Sequence, residues 1–332
     1  MLDKLSVIVP TFNREKFSVR TANYYRFVGV KTVFGDGTTE HNDELASLGL
    51  NSKYITYHHG PGSSWSERMI KNLSSVDTEY VVISADDEFH LKTGLIKSVD
   101  MLDRDTSATC AVGRSAKFSY RTKEVKLENV YNYKNGCIGS NAIERCANLM
   151  RNYSPFPCYS VWRTNKLTQI LTVLSKTDWS SWRVDEVIHV MGAGLLGNCL
   201  VHDELQWLRS DENPPSKTPT KKQIELNEWY KKPNLKNEHI HFCKVASEFM
   251  TDKFFTHYTD KDKILAAHYL LETFLFGQRH EGSLVKAKIR PQKTFEQPSI
   301  NGFEFIKKNY SDDALSDFSA INKIIIQHYS NS

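Results

Sequence analysis

Short β-branched runs broken by polar turns fill the first ninety residues. Leu5-Ser6-Val7-Ile8-Val9-Pro10 stops at its proline and Lys31-Thr32-Val33-Phe34 at Gly35-Asp36-Gly37-Thr38-Thr39. Tyr54-Ile55-Thr56-Tyr57 stops at His58-His59-Gly60-Pro61-Gly62, and Tyr80-Val81-Val82-Ile83-Ser84 breaks into the acidic Ala85-Asp86-Asp87-Glu88-Phe89. Buried parallel strands read this way, because both faces of such a sheet are covered and the alternation of polar and apolar positions is lost. The intervening segments are long enough for crossover helices. Strand, crossover, strand repeated in this manner predicts an α/β fold with a mostly parallel sheet flanked by helices, in which ligands bind outside the carboxyl ends of the strands. The four polar turns then gather on one edge. Thr11, Asn13, Asp36 and the cluster Asp86 to Glu88 surround one crevice although they are far apart in sequence.

Further on the pattern is less regular. Strand candidates lie near Ala108 to Val112 and through Cys158-Tyr159-Ser160-Val161-Trp162, and a helix is expected from Asp185 to about Gly192, before Cys199-Leu200-Val201. The stretch from Ser210 to Pro219 is rich in proline and polar residues and reads as a linker or loop. Beyond it the period becomes 3.6: Phe242, Val245, Ala246 and Phe249 line one helical stripe, Ile264, Ala267, Leu271 and Leu275 another. Thr259 and Asp262 can cap the second of these, and Ser311-Asp312-Asp313 precedes a last helix carrying Leu315, Phe318, Ile321 and Ile325. The division expected is residues 1–212, a Pro/Lys-rich linker at 213–222, and a C-terminal α-helical domain at 223–332.

Composition narrows the class. With 40% hydrophobic and 25% charged residues among 332, the chain can bury a core and is neither disordered nor fibrous. An excess of 43 basic over 39 acidic residues is too small to indicate nucleic acid, but suits a phosphate-bearing ligand or an anionic membrane surface. No apolar run approaches the ~18 to 20 residues that span a bilayer, and the N-terminus enters a strand pattern at once, so a cytoplasmic location is expected. Peripheral contact with the inner face of the membrane is the variant that Lys217, Lys221, Lys222, Lys231 and Lys232 would support; a solvated surface explains the same lysines. The six cysteines show no CxxC spacing, which points to neither a zinc site nor a disulfide framework.

Transfer of a sugar from a nucleoside diphosphate needs a cation or basic groups against the leaving diphosphate and a carboxylate to activate the acceptor hydroxyl. Asp86, Asp87 and Glu88 can offer oxygen ligands to Mn²⁺ or Mg²⁺. An isolated acidic triplet is more often a solvated turn, but this one follows four strand residues directly. At this point a resemblance emerges. Ser6 to Arg14 resembles the opening strand and turn of family-2 glycosyltransferases of the bacterial polysaccharide-biosynthesis type, which have the Rossmann-like GT-A fold and mostly invert the anomeric centre. Gly35-Asp36-Gly37-Thr38 resembles the family's second-strand turn, whose aspartate contacts the nucleoside. Ser84-Ala85-Asp86-Asp87-Glu88 falls where its DxD metal motif belongs. Val184-Asp185-Glu186-Val187-Ile188 resembles the motif that supplies the base, and Trp207-Leu208-Arg209 the closing arginine segment.

The resemblance thus implies a GT-A domain over 1–212, with Pro10, Thr11, Asn13, Arg14, Asp36, Arg68, Asp86 and Arg209 toward the donor. Ser84 stands where the first aspartate of DxD is usual, which leaves Asp86 with Asp87, or Asp86 with Glu88, as the metal pair; Asp211, where relatives carry a histidine, can complete the shell. Asp185 and Glu186 diverge by about 100° on a helix, so only one can serve as base. Asp185 is favoured and Glu186 is the alternative. Trp162, Trp179 and Trp182 flank them, and Trp162 and Trp182 are candidates for an acceptor platform, against core packing. His202, His239 and His241 read as surface histidines. The implied function is a metal-dependent, inverting hexosyl- or N-acetylhexosaminyl-transferase that moves a sugar from a UDP-sugar to a hydroxyl of a glycan or lipid-linked acceptor. A catalytically idle GT-A-like module that binds sugars or scaffolds an assembly is the competing reading. A nucleotidyltransferase is disfavoured, because the first loop, Pro10 to Glu15, has no glycine.

Overall fold

The computed structural model describes residues 1–130, 136–212, 224–276 and 299–330; the expected linker at 213–222 and the side chains of Trp182 and Asn227 lie outside the described residues. The chain begins β1 (Leu5–Thr11), α1 (Glu15–Val28), β2 (Lys31–Asp36), α2 (Asp43–Leu50), β3 (Ile55–His59), α3 (Trp65–Ser74), β4 (Tyr80–Ile83), β5 (Phe89–His90) and α4 (Lys92–Arg104). It continues with β6 (Ala108–Arg121), β7 (Glu124–Asn129), α5 (Ala142–Arg151), a 3₁₀ turn (Phe156–Tyr159), β8 (Val161–Arg163), α6 (Thr164–Leu174), α7 (Trp182–Leu196) and β9 (Asn198–Ser210). After the gap come α8 (Leu226–Lys231), α9 (Lys236–Ser247), α10 (Asp260–Phe276), β10 (Ile300–Asn301), α11 (Gly302–Asn309) and α12 (Asp312–Ser330).

The sheet has ten strands in the order β10-β7-β6-β8-β4-β1-β2-β3, with β9 joined to β6 and β5. β4, β1, β2 and β3 are parallel neighbours, the α/β arrangement that the strand and crossover repeats predict. β8 pairs antiparallel with β4 and with β6, and β7 and β10 extend that side antiparallel. Gly29 ends α1 at φ 77 and its N–H donates to the Tyr25 carbonyl, a left-handed cap that glycine adopts without cost. α3 starts in a capping box between Ser64 and Glu67.

Two expected elements shift. The candidate through Cys158 to Trp162 opens as the 3₁₀ turn, where Pro155 and Pro157 offer no N–H to a ladder, and becomes strand only at Val161. The helix expected from Asp185 begins at Trp182, because the buried face of α7 already includes Val184. Thr259 and Asp262 do cap α10: Thr259 N–H donates to Asp262 Oδ2 at 2.9 Å and Asp262 N–H to Thr259 Oγ1 at 3.2 Å.

Alternate residues of β1 and β4 face opposite ways and build two cores. One takes Leu5, Val7, Val9, Tyr80 and Val82 together with Phe305, Ile306, Phe318, Ile321 and Ile325 of α11 and α12. The other takes Ile8, Val81 and Ile83 with α5, α6 and α7, and adds Phe242, Val245, Ala246 and Phe249 from α9 and its flank and Ala267, Leu270 and Leu271 from α10. The helices of 223–332, expected as a C-terminal α-helical domain, divide their apolar residues between the two faces of the sheet. Among the described residues no helix is long and apolar enough to cross a membrane.

Candidate functional site

The ends of β1 and β4 are offset, and the offset makes the site. Ile8 lies opposite Ile83, the last residue of β4, and Ser84 N–H donates to the Ile8 carbonyl at 2.9 Å. The acidic turn 84–88 is therefore laid beside the remaining residues of β1, Val9 to Thr11, while Thr11 is in register with Asp36 at the end of β2. Thr11 Oγ1 donates to Asp86 Oδ2 at 2.7 Å. A guanidinium nitrogen of Arg14 lies 3.2 Å from Asp86 Oδ1 and 3.1 Å from Asp87 Oδ2. Asn13 is left-handed at φ 56, which turns its N–H onto Thr38 Oγ1 at 2.8 Å, and Gly37 N–H reaches the Thr11 carbonyl at 3.1 Å. The first, second and fourth turns of the predicted crevice are thus tied together by direct bonds.

The acidic turn is not solvated: Asp86, Asp87 and Glu88 are 4%, 2% and 6% exposed. Burial pushes the Asp86 carboxyl up to about 6, with Thr11 and Arg14 pulling against it. Burial, then the neighbouring charge of Asp87, pushes Glu88 up to about 8. Trp207 Nε1 donates to Glu88 Oε2 at 2.7 Å. β5 pairs with β9, Phe89 opposite Leu208, so the positive charge of Arg209 comes close enough to pull Glu88 back down. Ser84 is fully buried and accepts a hydrogen bond from Tyr25 at 3.0 Å. It faces α1 and not the crevice.

Asp36 is 1% exposed and organises its own turn, accepting from Thr38 N–H at 2.8 Å and Tyr57 OH at 3.0 Å. Arg68 reaches the same turn from α3, and a Cβ at Gly37 would fall 2.3 Å from its Nη1. Burial lowers the Arg68 pKa and the charge of Asp36 raises it. Beside them a cavity of ≈ 120 Å³ is lined by Gly35, His58, Gly60, Ser63, Glu67, Arg68, Lys71 and Asn72. The Asn72 side chain is buried, and its amide nitrogen has no hydrogen-bond partner.

Asp185 and Glu186 are half-buried in the first turns of α7. Burial, helped by the charge of Asp178, pushes Asp185 up to about 7. Glu186 Oε1 accepts the hydroxyl of Tyr153. The segment after Tyr153 leads back to the acidic turn: Cys158 feels the charge of Glu186, and Tyr159 stacks on Trp207 with centroids 3.8 Å apart. Trp207 in turn holds Glu88. Sequence reasoning missed Tyr153 and Tyr159; the prolines that bracket Phe156 were the available signal that this stretch is a shaped connection.

No family model and no curated protein matches the chain. Solved structures do. The chain shares its fold with S. aureus TarS. The TarS structure is 13% identical with a TM-score of 0.52, and the match covers 98% of this chain and 54% of TarS, so the chain spans about half the TarS length. TarS 1-349, solved in complex with UDP-GlcNAc, is 14% identical with a TM-score of 0.50, covering 90% of this chain and 99% of that fragment. The GT-A-like architecture expected from the sequence is therefore the fold observed.

Several expected roles are not supported by the placement of the side chains. Asp86, Asp87, Glu88 and Asp211 do not converge as a shell for Mn²⁺ or Mg²⁺, and among the described residues no three Asp, Glu, His or Cys side chains do. The guanidinium of Arg14 stands between Asp86 and Asp87, Trp207 occupies Glu88, and Asp211 lies on β6's side, 3.6 Å from Lys117 and 3.7 Å from Arg121. Trp162 is fully buried, with Nε1 donating to the Pro157 carbonyl at 2.7 Å, and is core rather than platform. His202, His239 and His241 are each within hydrogen-bond reach of protein partners, Ser98, the Trp229 carbonyl and Thr177. His202 is itself buried, not a surface residue.

Proposed function

We propose that the chain is a nucleotide-sugar-dependent glycosyltransferase that transfers a sugar from a UDP-sugar, with inversion, to a hydroxyl of a glycan or lipid-linked acceptor. The observation that carries this reading is the row of buried carboxylates at the carboxyl end of β4, with Asp86 tied to the β1 turn and shifted by burial. Buried carboxyls with raised pKa values gathered at the carboxyl edge of a parallel sheet are candidates for a functional site. The donor is suggested by the fold of TarS, a glycosyltransferase whose 1-349 fragment was solved with UDP-GlcNAc. The nucleoside side of the donor belongs beside Asp36 and the Asn72 cavity, with Arg68 and Lys71 as cations for phosphate. Arg209, exposed on β9 and acting on Glu88, offers a further cation.

In the transfer, Asp185 takes the proton of the acceptor hydroxyl as its oxygen bonds to the anomeric carbon. The bond from that carbon to the diphosphate oxygen breaks, and its electron pair leaves with the nucleoside diphosphate, toward Arg68 and Arg209. A base near 7 is suited to this task at neutral pH, where general base help contributes about 10² to 10⁴ in rate. Thermal-shift titration with UDP-, GDP- and dTDP-sugars tests the donor: a UDP-sugar should raise Tm in a saturable manner, and equal or absent shifts for all would overturn the assignment.

A specific observation favours a second reading, a module that binds a nucleotide sugar without turning it over. Ser84, where the resemblance places the first aspartate of the metal motif, is fully buried and faces α1. Release of nucleoside diphosphate separates the two, because only the enzyme performs it.

A further inference from the structure

Arg20 of α1 is 3% exposed. One of its nitrogens donates both to the Asp87 carbonyl at 3.1 Å and to Glu212 at 2.8 Å, and its guanidinium lies over the rings of Phe17 and Phe89 at 4.9 and 5.3 Å. Two other nitrogens of Arg20, Nε and Nη1, have no hydrogen-bond partner. Glu212, three residues beyond Arg209, accepts from Tyr329 OH at 2.7 Å through its other oxygen. Tyr329, in the last turn of α12, stacks on Tyr120 of β6 with centroids 4.4 Å apart and planes 3° from parallel. The acidic turn, the end of β9 and the end of the chain therefore meet at one ion pair whose two side chains are 1% and 4% exposed.

Such a pair is a poor stabiliser, since desolvation offsets most of its attraction, and an apolar cluster of the same volume would serve the core as well or better. What it supplies is direction: a guanidinium fixes two acceptors in its plane at once. We propose that Arg20 is a positioning residue, and that through Glu212 and Tyr329 it makes the C-terminal end of α12 a brace that holds the acidic turn in register with the Arg209 strand. Its bearing on donor binding rests on the function proposed above; the brace itself does not.

The test uses the full chain with Glu212→Gln and Tyr329→Phe, the second keeping the stack on Tyr120. Phe318→Leu is the control: it lies on the same helix and is fully buried in the core. Hydrogen exchange is followed at residues 86 to 88, and affinity is measured with UDP as the probe. Both brace variants should speed exchange in the turn and weaken UDP about tenfold, the scale of one charge-assisted hydrogen bond. Phe318→Leu should lower Tm but leave both readouts as in wild type. If exchange in the turn follows Tm alike in all three variants, the pair is structural only and the proposal is wrong. If wild type binds no UDP, the donor assignment fails, and the exchange arm still decides the brace.

Discussion

Asp185 carries the chemical claim at the scale of single residues. Its carboxyl is held near 7 by burial beside Asp178, so it is half ionised at neutral pH and acts as a base only when ionised. The sign follows directly: kcat/KM should rise with pH through about 7 and level off above it, because this profile reports the free enzyme's base. Asp185→Asn should remove that limb and slow transfer at least ~100-fold while donor binding stays. Glu186 already holds the Tyr153 hydroxyl, so Glu186→Gln should cost much less; steady-state rates of the two variants check the order, and a dead Glu186→Gln would move the base by one residue. Asp36→Ala leaves Thr38 N–H and Tyr57 OH without their acceptor. It should raise the donor KM by loosening the turn, measured against an unchanged acceptor KM.

Elements were legible wherever local pattern decides them. The four parallel strands lie on the β-branched runs and end close to the proline, glycine or acidic residues that interrupt them, although β1 continues past Pro10 to Thr11 and β2 past Gly35 to Asp36. The offset of β1 past β4 was not visible, because register is set by pairing partners elsewhere in the chain, and that offset is what puts Thr11 against Asp86. The same limit hid the inward face of Ser84, the arginine between Asp86 and Asp87, and the shift of Trp162 into the core. Close approaches between elements give contrasting predictions at two glycines. In Gly37→Ala the new methyl meets the flexible end of Arg68, so Tm should hold while UDP affinity falls about tenfold. In Gly94→Ala it meets the backbone of β9 at Gln206 and Leu205, so the fold should lose about 1 to 3 kcal/mol by denaturant unfolding.

For the whole molecule, the sequence's helical periodicity after residue 223 is correct, but periodicity does not say what a stripe packs against. α9 and α10 close one face of the sheet, α11 and α12 the other. The fold is shared with TarS at 13% identity, a level at which the architecture carries over and the activity has to be shown on this chain. The most direct measurement is release of UDP from UDP-sugars by the wild-type chain and by Asp185→Asn. Release by wild type from at least one UDP-sugar, accelerated by the matching acceptor and reduced at least ~100-fold in the variant, is the predicted result. No release by wild type from any UDP-sugar, or equal release by both proteins, would contradict a glycosyltransferase that works through Asp185.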